Sequence, residues 1–97
     1  MPSYHELHFT RLARQRFARL ATVSRAALAL DRLAQHATPA VARYVAAVEL
    51  GLPKKAILAA SGIGNHRWLR RQVGLTEDRR DDPALDDMIT ALARVAA

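Results

Sequence analysis

Apolar residues recur along this chain at three- and four-residue intervals, and no segment alternates apolar and polar positions over six or more residues with β-branched enrichment. The pattern predicts helix throughout. The first stretch runs from Ser3 to Gln35, with Leu7, Ala13, Phe17, Leu20, Ala27 and Leu30 near helical spacing. Ser3 and Glu6 fit a capping box. The stretch reads either as one long helix or as two, the second capped by Thr22 or Ser24 and ending near His36. Thr38-Pro39 is a cap followed by proline at the first helical position. That helix is expected to run to Leu50, to bury Val41, Tyr44, Val45 and Val48, and to stop at Gly51. Pro53 opens a short helix over Lys54–Ala60, Ser61-Gly62-Ile63-Gly64 turns the chain, and Asn65 caps a helix over His66–Val73 that Gly74 ends. Thr76–Asp82 reads as a charged linker, and Asp82-Pro83 starts a last helix that ends near Ala96. Asp86 and Asp87 near its start and Arg94 near its end suit the helix dipole.

The fold class expected is therefore all-α: one small helical bundle over residues 1–97. Its parts are the N-terminal helix or helices (1–37), a central core (38–75), and an acidic linker with the last helix (76–97). A chain of 97 residues fits one domain. Its longest unbroken apolar runs are five residues, whereas a spanning helix needs about 20, so no membrane association is expected. The N-terminal arginines do not suit a secretory signal, and the expected location is cytoplasmic. There is no cysteine, which removes disulfides, zinc fingers and thiol catalysis. Ala, Arg and Leu supply 20, 13 and 13 residues, a helix-favouring composition.

Charge changes the picture. Residues 1–75 carry 12 basic and 3 acidic residues, and residues 76–97 carry 3 and 6. A basic body points to a polyanion partner, and an acidic end to a different task. Between Leu50 and Leu75 there is no acidic residue at all. Within that window two short helices flank a glycine-containing turn, which is the arrangement of a helix-turn-helix. Gly62 would take the positive-φ turn position. Ile57, Ile63 and Trp68 would close the core between the helices. The second helix would then present Asn65, His66, Arg67, Arg70 and Arg71, with Lys54 and Lys55 at the start of the first. Asn65, Arg67 and Arg70 suit base edges in the major groove; Lys54, Lys55, His66 and Arg71 suit phosphates. Leu85, Met88, Leu92 and Val95, with Ile89 beside them, form a heptad seam. It serves either a homodimer, as two-fold DNA readers use, or packing on its own domain. Arg11, Arg14, Arg16, Arg19 and Arg25 form a second basic cluster, read either as a phosphate-tracking face or as a solvated one.

The stretch Val45–Gln72, with Leu50-Gly51, Ile57-Leu58, Ile63 and Arg67-Trp68-Leu69-Arg70, resembles the N-terminal helix-turn-helix region of the flagellar master regulator FlhC and is similar to Kor-type plasmid repressors. Arg71-Gln72 stand where that pattern has an apolar-aromatic pair. The resemblance implies a transcriptional regulator of double-stranded DNA. It does not bring the cysteine-ligated zinc of the longer family, for which this chain has no ligands.

No cofactor is expected. His5 and His8, three apart, are the best metal pair, but terminal histidines at this spacing read as polar surface. Asp78, Asp82 and Asp86 lack a nucleophile or base nearby, and Gly62 and Gly64 lack the remainder of a phosphate-cradling loop, so an enzyme is not expected. The alternatives are a phage- or plasmid-encoded interaction module or inhibitor, and an accessory DNA-binding protein of conjugation or replication.

Overall fold

The computed structural model describes residues 4–97, with side chains from Thr10 onward; the Ser3 cap lies outside the described residues, and the capping box it shares with Glu6 and the His5–His8 pair rest on side chains outside those described. Helix α1 spans Tyr4–Ala34. At 1.5 Å per residue it is about 46 Å long, and it sets the long axis of a molecule measuring 60 × 27 × 19 Å. It is one helix rather than two. The Thr22 hydroxyl does not cap a new helix; it donates to the Ala18 carbonyl at 2.8 Å, inside the continuing one.

Helix α2 spans Pro39–Tyr44, and Thr38 caps it by accepting from the Val41 N–H at 3.4 Å. The chain then widens into a π turn over Val45–Glu49, with the Leu50 N–H donating five residues back to Val45 at 3.0 Å. Gly51 follows at φ +64°. The wide turn breaks the 3.6-residue register of the buried face. Val48, expected inside, is 42% exposed, while Ala46 is fully buried.

Helix α3 covers Lys54–Ser61 and ends on Gly62 at φ +69°. The Ile63 N–H reaches the Leu58 carbonyl at 3.1 Å and the Gly62 N–H reaches Ala59 at 3.4 Å, a Schellman cap in which Ile63 packs beside Leu58. Helix α4, His66–Asp78, starts on Asn65, whose Oδ1 accepts from the Trp68 N–H at 3.2 Å. Helix α5, Pro83–Ala96, starts on Asp82, which accepts from the Ala84 N–H at 3.0 Å.

Two expectations fail at the end of α4. The helix does not stop at Gly74, and Thr76–Asp78 belong to it rather than to a linker. Glycine costs a helix interior about 1 kcal/mol against alanine. Here tertiary contacts offset that cost: Val73 packs against both core clusters, and Glu77 accepts a hydrogen bond from the Tyr44 hydroxyl. A Cβ at Gly74 would meet nothing within 4 Å. Gly74→Ala is therefore expected to stabilise the fold by about 1 kcal/mol, raising Tm by roughly 4–8 °C. An unchanged or lowered Tm in a thermal melt would place the helix end at Gly74 after all.

The core is two adjoining clusters. One joins Leu33 of α1, Ala42, Tyr44 and Val45, and Ile89, Leu92 and Ala96 of α5. The other joins Ala46, Ile57 and Leu58 of α3, and Leu69 of α4. Leu30 and Val73 touch both clusters. Ile89 and Leu92, expected in a dimer seam, are thus inside the monomer, and Leu85 packs against the same cluster. Of the five seam residues only Met88 (39%) and Val95 (53%) face outward. No helix among the described residues is long and apolar enough to cross a membrane.

Candidate nucleic-acid interface

Helix α4 has two unlike faces. Leu69 is fully buried and Val73 half-buried, and together they hold the inner face against α3 and the π turn. Arg67, Arg70, Arg71, Gly74 and Asp78 are exposed. Their spacing of three, one, three and four residues places them on one face of a 3.6-residue helix. Among the described residues none of Arg67, Arg70 and Arg71 has an intramolecular hydrogen bond or ion pair. Three guanidinium groups are thus held outward on a helix whose opposite side is fixed in the core.

Other arginines are committed elsewhere. Arg43 of α2 lies over the Trp68 ring at 4.7 Å from its centroid and donates to Gln72 Oε1 at 3.0 Å. Its Nε is buried without a partner, and burial lowers its pKa. Trp68 is therefore half-buried at the edge of the hairpin, not its centre as expected; Leu69 holds that place. Ile57 is fully buried and Ile63 half-buried, and both pack in that cluster as the spacing suggested. Lys54 and Lys55 are exposed at the start of α3, which has no side-chain cap. The Asn65 carbonyl oxygen is spent capping α4, so only its amide nitrogen is left to reach a ligand. His66 is half-buried.

The far end of α4 is locked by a polar knot that the sequence pattern does not announce. Tyr44, itself fully buried, donates through its hydroxyl to Glu77 Oε2. Arg80 Nη1 donates to Tyr44 Oη at 3.2 Å and to Glu49 Oε1 at 2.5 Å. Its Nε and Nη2 reach Asp86 Oδ1 at 2.9 and 2.7 Å. One guanidinium ties α2, the π turn and α5 together, and its acceptors hold its pKa above the usual arginine value. Glu77 and Arg80 are three residues apart, and Arg80 and Asp86 flank the Asp82-Pro83 start. That spacing was the one available signal.

Burial, and next the hydrogen bond to Glu77, raise the Tyr44 pKa from its ordinary 10.0. A proton held more tightly in the folded state contributes stability that is fully present below pH 10 and is lost as pH rises through the folded value. Wild-type stability is expected to fall more steeply above pH 10 than that of Tyr44→Phe. Parallel urea-unfolding curves for the two proteins across pH 9–12 would refute this.

No family model matches the chain, and neither a curated protein nor a solved structure does. Among the described residues no three His, Asp or Glu side chains converge to hold a metal ion.

Proposed function

We propose that this protein binds double-stranded DNA sequence-specifically, as a transcriptional repressor, with α3, its turn and α4 acting as a helix-turn-helix. The observation that carries the reading is the outward face of α4, where Arg67, Arg70 and Arg71 are exposed and without a partner among the described residues, while Leu69 anchors the helix behind them. A helix of this kind fits the major groove, with arginine reading guanine O6 and N7. Arg67 and Arg70 are assigned to bases. Lys54, Lys55, His66 and Arg71 are assigned to phosphates, and Asn65 contributes its free amide. The resemblance of Val45–Gln72 to helix-turn-helix regulators supports the same reading. Fluorescence anisotropy of duplex fragments from the gene's own upstream region tests it. Binding that survives excess random competitor and weakens steeply with salt is expected. Failure to bind duplex at low salt would refute it.

Two copies on a two-fold operator suit this reading. Ala84, Met88, Ala91 and Val95 are spaced four, three and four apart on the exposed side of α5. Antiparallel pairing of two α5 helices about a two-fold axis would set Asp87 opposite the partner's Arg94, and both residues are exposed in the monomer. Met88→Glu is expected to shift the protein to monomer in sedimentation equilibrium. An unchanged mass distribution would remove α5 as the interface.

A second reading, a protein-interaction module, has one observation of its own. Phe17 (73% exposed) and Leu20 (63%) lie open on α1, with Leu12, Ala13 and Arg16 lining the same groove. Binding to a protein partner through an apolar centre would change little with salt, which separates it from DNA.

A further inference from the structure

The molecule holds a second cationic surface that the α3–α4 hairpin does not account for. From Thr10 to Leu30, α1 carries Arg11, Arg14, Arg16, Arg19 and Arg25 and no acidic residue. All five are exposed. At 100° per residue, Arg11, Arg14, Arg19 and Arg25 fall within one half of the helix, and Phe17 and Leu20 on the other. Arg25 lines a separate groove with Leu50 and Leu52, and Ala26 and Ala29, between it and Arg19 on the helix surface, are buried where this half meets α3 and the core. A groove of about 620 Å³ runs between α1 and α3, with Ala18, Arg19 and Thr22 on one wall and Pro53, Lys55 and Ala59 on the other. Arg19 and Lys55, from segments 36 residues apart in the chain, therefore line one cleft with no acidic residue among its lining. Arg25 has only a weak internal partner, the Thr22 hydroxyl at 3.4 Å. Arg11, Arg14 and Arg19 have none among the described residues. Like charges gathered on one surface repel, and a polyanion laid along it removes that repulsion.

We infer that Arg11, Arg14 and Arg19 of α1 form a second DNA contact, tracking the phosphate backbone beside the site read by α4, with Lys54 and Lys55 joining the two surfaces. This rests on the proposed DNA binding by α4 and extends it. Arg11 to Arg19 spans about 12 Å along the helix axis. That matches the rise of about three to four phosphates on one strand. Contacts of this kind add affinity without sequence information.

The test is the salt dependence of binding by the full chain, on an operator fragment and on random duplex, for wild type and for Arg11→Gln/Arg14→Gln/Arg19→Gln. Glutamine is a good helix former, and these sites are exposed, so the fold is expected to survive; circular dichroism checks it. The variant is expected to flatten the plot of log K against log salt by about 0.9 for each phosphate it no longer neutralises. The loss is expected to be equal on both duplexes, and the ratio of specific to random affinity is expected to stay constant. The single variant Arg19→Gln, which changes only the α1 wall of the cleft, is expected to show part of the same flattening. An unchanged slope in both variants would overturn the inference while leaving the α4 reading intact. Binding of the wild type to anionic phospholipid vesicles but not to duplex would overturn both.

Discussion

Leu69→Ala is expected to cost about 2–5 kcal/mol of stability, and Trp68→Ala distinctly less. The order inverts the usual ranking of large aromatics over leucine, and it follows from burial. Leu69 is fully enclosed by Ile57, Leu58 and Ala46, so truncation leaves a cavity between three elements. Trp68 is half-buried, and its outer ring face is covered by the Arg43 guanidinium, a contact worth about 0.5–1 kcal/mol at an exposed site. Denaturant unfolding of the two variants measures both values. The comparison bears on function as well as on stability. Adjacent residues point 100° apart on a helix. If Trp68 proved the costlier loss, α4 would sit rotated by about one residue, and Arg71 would no longer share the outward face with Arg67 and Arg70.

Arg67→Ala and Arg70→Ala are each expected to weaken specific DNA binding by about 1–3 kcal/mol, while leaving random-duplex binding much less affected. Arg71→Ala is expected to lower both by the same factor and to reduce the salt slope by about one. The folded state is expected to be indifferent to all three, because none of these side chains has an internal partner among the described residues. Competition anisotropy with operator and random duplex separates the two classes. An equal loss on both duplexes for Arg67→Ala would reassign it to a phosphate.

Local chemistry made much of this fold legible. Thr38-Pro39 and Asp82-Pro83 start helices where a cap and a proline demand it, and both cap bonds are present. Gly51 and Gly62 end segments at the positive φ that glycine accepts. The arginine face of α4 was readable from spacing alone. What stayed hidden depends on contacts distant in sequence. The π turn at Val45–Glu49 breaks the register that would bury Val48, and no local signal marks it. Gly74 carries a stop signal that Val73 and Glu77 override through the core and Tyr44. The charges from Glu77 to Asp86 resemble a solvated linker until Arg80 is seen to bind Glu49, Tyr44 and Asp86 together. On α5, periodicity showed an apolar helix but not which seam faced inward. Leu85, Ile89, Leu92 and Ala96 turn to the monomer core, leaving Met88 and Val95 outside.

The central claim is that the outward face of α4 occupies the major groove, and dimethyl sulfate protection measures this most directly. The reagent methylates guanine N7, which opens on the major groove, and adenine N3, which opens on the minor. With wild-type protein on its operator, protection of guanine N7 is expected at clustered positions, lost selectively in Arg67→Ala or Arg70→Ala. Protection confined to adenine N3, or a guanine pattern identical in wild type and both variants, would contradict it.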